Sequence, residues 1–279
     1  MEKVHIEKNS VQETLVIPLY GRKLCTERFP RLFQDKKAVE LIERLDYDFS
    51  RLQKQSESLA HQFGALEVAM RENDLMLEMR DYLASHPRAV LVNLGCGLDQ
   101  TAENCDNGLC HIVNVDLPDV IAVRNELLPG SERVKNLACD LNDTSWFDKI
   151  DASNGVCFMA AGVFYYFKTA DIRRLFTAMA GRFPGGRLVF DSAGRRAVKI
   201  MLKTWVKEAG ITSISEYFSV DDVRVDLGWL VNSSISSRGY MLGYNDLLDP
   251  SVPGLFRLLA KLGDGFMKMR IIRIDFKEE

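Results

Sequence analysis

Residues 89–100 read AVLVNLGCGLDQ, an apolar run that leads into the turn Gly95-Cys96-Gly97. A short run rich in Val and Leu that ends at glycine is typical of a buried strand. Glycine lacks the Cβ atom that keeps a backbone away from a neighbouring molecule, so the N–H groups of such a turn can approach a ligand closely. The stretch therefore predicts a strand followed by a ligand-binding turn.

Four further apolar runs follow the glycine turn and are separated by helix-like stretches: HIVNVD, VKNLACD, GVCFMAAG and GRLVFDSAG. Strands that are apolar on both faces and alternate with helices form a mostly parallel sheet covered on two sides. The sequence thus predicts a doubly wound α/β fold. The alternating MKMRIIRIDF segment indicates a last strand, whose direction the pattern leaves open.

The segment before the first strand has a different character. In residues 1–86 apolar side chains recur at helical spacing, as at Leu41, Ile42 and Leu45, and no strand pattern is evident. We therefore expect a helical cap over residues 1–86 and a core over residues 87–279. Within the core, residues 205–260 carry no motif, and we expect them to form insertions that shape a substrate pocket.

Composition narrows the class of protein. The 279 residues include 47% hydrophobic ones and carry a net charge of −3, which fits a folded globular chain and argues against a broad basic surface for nucleic acid. The sequence lacks an apolar signal core and any run long enough to span a membrane. The 6 cysteines form no CxxC pair, so we expect reduced thiols, no metal site and a cytoplasmic location. Oligomeric state is left open.

The polar residues at the strand ends distinguish between possible cofactors. A dinucleotide-binding turn needs a third glycine, or an alanine, at the position that Gln100 occupies here. Gln100 therefore argues against an NAD-dependent oxidoreductase. S-adenosylmethionine-dependent methyltransferases instead need an acidic residue after the second strand, for the ribose, and a polar residue after the third, for the adenine. Asp116 and Asp140 occupy these places, although a helix N-cap and a turn residue are their structural alternatives.

The motifs VNLGCGLDQ, NVDLPDVI and AAGVFYYF resemble those of the leucine carboxyl methyltransferase and tetracenomycin-type polyketide O-methyltransferase family. The resemblance covers residues 15–195. It implies a class I methyltransferase sheet of seven strands, S-adenosylmethionine as the cofactor, and an N-terminal helical segment that closes over the active site. The helical cap expected over residues 1–86 fits this arrangement.

The resemblance also implies roles for particular residues. Gly95, Cys96 and Gly97 would line the methionine part of the cofactor. Arg71 would bind its carboxylate, and Asp99 would either orient that arginine or cap the helix that follows. The remaining cofactor residues implied lie after the second, third and fourth core strands: Asp116 and Leu117 for the ribose and adenine, Asp140 and Leu141 for the adenine, and Ala160 and Ala161 beside the methionine part.

The acceptor side is less defined. Tyr165 and Tyr166 follow the fourth strand and are candidates for bracketing the methyl group or orienting the acceptor, with aromatic packing as the alternative. Arg22, in the motif LYGRK, is a candidate for binding an acidic acceptor, with a surface salt bridge as the alternative. None of the 4 histidines suits a general base, which favours a carboxylate or an acidic hydroxyl of a small molecule as acceptor.

Two departures from the family pattern bear on catalysis. Ala161 stands where the family has Glu, and Gln100-Thr101 replaces the usual Thr-Arg. The sequence therefore predicts an S-adenosylmethionine-dependent O-methyltransferase and leaves open a noncatalytic cofactor-binding or regulatory protein of the same fold.

Overall fold

The computed structural model describes residues 3–7, 12–205, 217–241, 243 and 247–278. Within these residues the strands are β1 (Val4–His5), β2 (Leu45–Asp46), β3 (Val90–Leu94), β4 (His111–Asp116), β5 (Val134–Ala138), β6 (Val156–Ala160), β7 (Arg187–Ser192), β8 (Ser233–Arg238) and β9 (Arg270–Phe276). The helices are α1 (Glu13–Arg28), α2 (Lys36–Arg44), α3 (Ser50–Gln55), α4 (Leu59–Ser85), α5 (Pro118–Leu127), α6 (Thr169–Arg182), α7 (Arg195–Trp205), α8 (Val223–Asp226) and α9 (Gly254–Gly265). Short 3-10 helices follow three of the core strands, at Glu103–Cys105, Thr144–Lys149 and Phe164–Tyr166.

The strands β3 to β9 form one seven-stranded sheet in the order β5-β4-β3-β6-β7-β9-β8. The five strands from β3 to β7 run parallel, and β9 pairs antiparallel with both β7 and β8. Every residue of β3, β6 and β7 is buried, because helices cover both faces of the sheet centre. The predicted doubly wound α/β class and its seven strands are confirmed, and the last strand is antiparallel.

The cap packs directly on the sheet. Leu66, Met70 and Met79 of α4 belong to the same buried cluster as Leu91 of β3 and Met159 of β6. Helix α4 ends at Ser85, and β3 begins at Val90. Residues 1–86 thus share their core with the sheet rather than forming one of their own.

Two features of the fold differ from the expectations. The cap contains a strand pair, since β1 and β2 pair in parallel over two residues each, which is too short to leave a periodic pattern. The sheet gains an edge strand at β8, whose sequence SSISSR is too polar to be read as a strand. Residues 206–216, 242 and 244–246, which belong to the expected pocket insertions, lie outside the described residues.

No helix in the described ranges is both long and apolar enough to cross a membrane. The same ranges contain no group of three His, Cys, Asp or Glu side chains that could hold a metal ion. The six cysteines, Cys25, Cys96, Cys105, Cys110, Cys139 and Cys157, form no disulfides.

A cluster of buried aromatic side chains supports the segment after β6. Phe164 is 1% exposed, and its ring centroid lies 5.1 Å from that of Phe176 and 5.2 Å from that of Phe190. Phe164 therefore anchors the 3-10 helix that carries Tyr165 and Tyr166.

We expect Phe164→Ala to lower the free energy of unfolding by about 3 to 5 kcal/mol, because it leaves a cavity in a packed core. Urea denaturation followed by circular dichroism measures this change. The control is Leu59→Ala, since Leu59 is 50% exposed; its effect should stay below about 1 kcal/mol. A loss for Phe164→Ala as small as that of the control would contradict the anchoring role.

Candidate functional site

Five polar or glycine residues gather at one edge of the sheet. Because β3 to β7 are parallel, their carboxyl ends meet at the same edge, which we call the carboxyl edge. Gly95, Asp116, Asp140 and Gly162 end or follow β3, β4, β5 and β6, and Asp191 lies at the end of β7. Ligands of open α/β sheets bind outside this edge, so the carboxyl edge is the expected position of a ligand-binding site.

The glycine turn after β3 has a backbone that requires glycine. Gly95 has φ +66° and Gly97 has φ +46°, both in the left-handed region. A Cβ atom on Gly95 would lie 2.5 Å from Val163 Cγ2, and one on Gly97 would lie 3.2 Å from Leu15 Cδ2. Between them Cys96 is buried, and burial raises its pKa well above the usual value, so it packs as a neutral thiol.

Asp116 joins the end of β4 to this turn. Its Oδ2 accepts a 2.8 Å hydrogen bond from Gly97 N–H, and its Oδ1 accepts a 2.8 Å bond from the N–H of half-buried Leu117. Burial raises the pKa of Asp116, while the two N–H donors act in the opposite direction. Each carboxylate oxygen can accept a second hydrogen bond, so the group can hold a pair of neighbouring hydroxyls.

Arg124 of α5 supports the glycine turn from within the core, and the sequence reasoning missed it. Its Nη1 donates to Gly97 O at 2.9 Å and to Asp99 O at 2.7 Å, and its Nη2 donates to Glu103 Oε1 at 2.7 Å. The guanidinium is fully buried. The available signal was a charged residue with apolar residues at helical spacing on either side, in PDVIAVRNELL.

Arg22 is buried within the chain rather than at its surface. It donates from Nε to Asp35 Oδ2 at 2.8 Å and from Nη2 to Leu98 O at 3.0 Å, and lies 3.8 Å from Glu72 Oε2. The bond to Leu98 O joins α1 to the residue that directly follows the glycine turn. This geometry corrects the surface salt bridge, because the pair with Asp35 is buried; binding of an acidic acceptor by Arg22 stays a prediction.

Asp99 is positioned within the turn itself. Its Oδ1 accepts bonds from Asn93 Nδ2 at 2.7 Å and from Thr101 N–H at 3.1 Å. Of the two roles expected for Asp99, these contacts correspond to capping the backbone that follows. The partner of Arg71 is instead Asp191, at 3.1 Å.

Asp191 connects the cap to the end of β6, and sequence reasoning did not single it out. Its Oδ1 accepts from Gly162 N–H at 2.6 Å, and its Oδ2 accepts from Arg71 Nη1 at 3.1 Å and from the Tyr165 hydroxyl at 2.7 Å. Among the described residues, Arg71 Nε is buried without a hydrogen-bond partner. Arg71 also lies against Gly162, since a Cβ atom on that glycine would be 2.9 Å from Arg71 Nη1. The Nε of Arg71 thus remains as a donor without a partner in the described part of the chain.

The two candidate catalytic tyrosines lie in different environments. Tyr165 is buried, and burial together with Asp191 raises its pKa well above the usual value, so its hydroxyl serves as a donor. Tyr166 is 46% exposed at the same edge and is open to an acceptor. The structure thus places Tyr165 as a support and leaves Tyr166 as the accessible one of the pair.

A second carboxylate, also missed from the sequence, lies on the same face of α4 as Arg71. Glu67 is one helical turn before Arg71, and its Oε1 accepts a 3.0 Å bond from the Tyr240 hydroxyl. Burial raises the pKa of Glu67, and the nearby charges of Arg71 and Asp191 oppose each other there. The cap and the segment after β8 therefore meet at this point of the carboxyl edge.

The other predicted cofactor residues lie along the same edge. Asp140 is exposed and accepts from the backbone and side-chain nitrogens of Asn142, both at 2.9 Å, while Leu141 is buried. Ala160 ends β6 as a buried residue, and Ala161 follows it half-buried against the cluster that contains α4. Their contacts with a cofactor stay predictions.

This strand order, with a glycine turn after β3 and an acidic residue closing β4, is that of the class I methyltransferase fold. The chain belongs to the leucine carboxyl methyltransferase family, whose model matches residues 17–180. The family and cofactor expected from the motifs are thereby confirmed.

Individual relatives agree with this assignment. The tetracenomycin polyketide synthesis O-methyltransferase TcmP of Streptomyces glaucescens is 29% identical over 188 residues, which are 67% of each protein. A DUF574 family protein of Streptomyces avermitilis shares the fold with a TM-score of 0.58 at 11% identity, over 95% of this chain and 97% of that one. The plantazolicin methyltransferase BpumL, solved in complex with SAH, matches with a TM-score of 0.51 at 12% identity, over 96% and 99%.

Glu72, beneath the glycine turn, generates a prediction about pH. Burial raises its pKa from the usual 4.5 to about 7; Arg22 opposes the shift, while Asp99 and Asp35 add to it. A carboxyl whose pKa is higher in the folded state stabilises the fold below its unfolded pKa and loses that contribution as pH rises through the folded pKa.

We therefore expect the free energy of unfolding of the wild type to fall between roughly pH 5 and pH 8, relative to Glu72→Gln, by about 1 to 3 kcal/mol. Urea denaturation at both pH values measures this difference, and Glu57→Gln, which changes an exposed carboxylate of the cap, is the control. Parallel pH profiles for the wild type and Glu72→Gln would show that Glu72 does not titrate in this range.

Proposed function

We propose that this chain transfers the methyl group of S-adenosylmethionine to an oxygen of a small molecule, either a carboxylate or an acidic hydroxyl. The observation that carries the proposal is the Asp116 carboxylate held beside the glycine turn by Gly97 and Leu117 N–H groups. Similarity to TcmP, a polyketide O-methyltransferase, supports oxygen as the acceptor atom. We further propose a cytoplasmic enzyme without a nucleic-acid or membrane partner, in keeping with six free cysteines and a net charge of −3.

The residues present fit this cofactor. Asp116 retains acceptor capacity for the two ribose hydroxyls, and the turn at Gly95 and Gly97 admits no side chain. The unpartnered Nε of Arg71 suits the carboxylate of the methionine part, since arginine binds carboxylates through several N–H donors. When bound, the cofactor supplies a methyl group on a positively charged sulfur.

The adenine side of the proposed site is formed by residues after β4 and β5. Half-buried Leu117 and buried Leu141 provide apolar surface for the ring, and the exposed Asp140 carboxylate provides an acceptor for the amine. Ala160 and Ala161 leave room beside the methionine part, because neither carries more than a methyl side chain.

The acceptor side of the proposed site lies between the cap and the end of β7. Methyl transfer is an in-line displacement, so the protein must mainly align the acceptor and exclude water. Tyr166 is accessible for alignment, while the bond from Tyr165 to Asp191 holds the neighbouring backbone. A carboxylate acceptor needs no base, whereas a hydroxyl acceptor must lose its proton, for which Glu67 is the candidate base.

A second candidate function is noncatalytic cofactor binding, and Ala161 is the observation that favours it. The family carries Glu at this place, and alanine can neither accept a hydrogen bond nor take a proton through its side chain. Under this alternative the chain binds the cofactor and methylates nothing.

We expect Asp116→Ala to weaken binding of S-adenosylhomocysteine by about 10- to 100-fold, because it removes charge-assisted hydrogen bonds to the ribose. Isothermal titration calorimetry measures this affinity. The matched control is Asp119→Ala, an exposed carboxylate in the first turn of α5, which should leave the affinity unchanged. Equal affinities of Asp116→Ala and the wild type would remove the ribose assignment.

A panel of aromatic carboxylic acids and phenols, assayed by mass spectrometry with S-adenosylmethionine, separates the two functions. We expect a methylated product from at least one of the two classes. Tight cofactor binding without any product would instead favour the noncatalytic alternative.

Glu67→Gln should slow methylation of a phenol by about 10²-fold or more and leave methylation of a carboxylate substrate little affected. Glu57→Gln, which changes an exposed carboxylate, is the control.

A further inference from the structure

The carbonyl oxygens of three consecutive residues, 97–99, accept hydrogen bonds from two buried arginines that lie on different helices. Arg124 of α5 donates to Gly97 O at 2.9 Å and to Asp99 O at 2.7 Å. Arg22 of α1 donates to Leu98 O, between them, at 3.0 Å. The core thus holds the first and third carbonyls of residues 97–99, and the cap holds the second.

These hydrogen bonds also determine where the N–H groups of the turn point. A trans peptide unit is planar, and its C=O and N–H point in opposite directions. The described peptide bonds include no cis bond, so fixing Gly97 O and Asp99 O also fixes the N–H groups of Leu98 and Gln100. Fixing Leu98 O likewise orients Asp99 N–H, which closes the turn by donating to Cys96 O at 3.0 Å.

The cost of burying two guanidinium groups indicates that Arg22 and Arg124 do more than pack two helices against the sheet. Removing a guanidinium from water is costly, and apolar side chains of similar volume would join α1 and α5 to the sheet without that cost. Each cation has its own carboxylate partner, Glu103 for Arg124 at 2.7 Å and Asp35 for Arg22 at 2.8 Å. Arg124 Nε donates to Asn136 Oδ1 at 3.1 Å, while Arg124 Nη1 and Arg22 Nη2 donate to the carbonyls of residues 97–99.

We propose that Arg22 and Arg124 are positioning residues that hold residues 97–99 in the shape that binds the cofactor. Through Arg22, helix α1 of the cap becomes part of the support of the cofactor site. The inference rests on the proposed function and assigns neither arginine a direct contact with a ligand.

The test measures binding of S-adenosylhomocysteine to the full chain by isothermal titration calorimetry, at a temperature where circular dichroism shows every variant folded. The variants are Arg124→Met, Arg124→Lys, Arg22→Met and Arg22→Lys. Arg44→Met is the matched control for the cap, because Arg44 of α2 donates to the carbonyls of Leu127 and Glu126, both at 3.1 Å, away from the turn. Arg187→Met is the control for a buried arginine at the opposite edge of the sheet.

We expect Arg124→Met to weaken binding by about tenfold or more and Arg22→Met by about fivefold, with partial recovery in the lysine variants, which keep a charged donor. The two controls should lower the melting temperature while leaving the dissociation constant within about twofold of the wild type. Unchanged affinity in both methionine variants would overturn the inference. The inference would also be overturned if the two control variants lost as much affinity as the Arg22 and Arg124 methionine variants at an equal loss of stability.

A second measurement keeps the inference testable if Arg124→Met does not fold. In the wild type, S-adenosylhomocysteine should slow amide hydrogen exchange in α1, and Arg22→Met should lose that protection. Equal protection of α1 in both proteins would contradict the link through Arg22. If the wild type itself does not bind S-adenosylhomocysteine, the proposed function fails, which is a result separate from any difference among the variants.

Discussion

The site depends on the hydrogen bond from Gly97 N–H to the Asp116 carboxylate, which joins the turn after β3 to the end of β4. The parallel register places Leu94 beside Val115, so the residues that follow them leave the sheet side by side. Val115 O then accepts from the N–H groups of both Gly95 and Cys96, which continues the ladder into the turn. The position of the acidic residue is therefore a consequence of strand pairing.

The cap contributes to the site as well as to the core. Arg71 of α4 reaches Asp191 at the end of β7, and Arg22 of α1 reaches Leu98 in the glycine turn. Leu15 of α1 would be within 3.2 Å of a Cβ atom on Gly97, so the same helix also limits the size of the residue there. The glycine turn and the residues that follow it are thus supported both by Arg124 of the core and by Arg22 of the cap.

Local patterns in the sequence were enough to predict six of the seven strands of the sheet, the glycine turn and the acidic residue Asp116 after β4, because each depends on neighbours within one strand and its turn. The supports were missed because their partners are distant in the chain. Arg124 lies 27 residues from Gly97, and Asp191 lies 120 residues from Arg71. A sequence pattern also cannot show whether an isolated arginine is buried, which is why the salt bridge of Arg22 lies inside the chain rather than at its surface.

The most direct test of the account is a crystal structure of the chain with S-adenosylhomocysteine bound. We expect both ribose hydroxyls within about 2.6 to 3.0 Å of the Asp116 carboxylate oxygens. We also expect the methionine part against Gly95 and Gly97, and its carboxylate at Arg71. A ligand bound elsewhere, or a ribose that does not touch Asp116, would contradict the central claim.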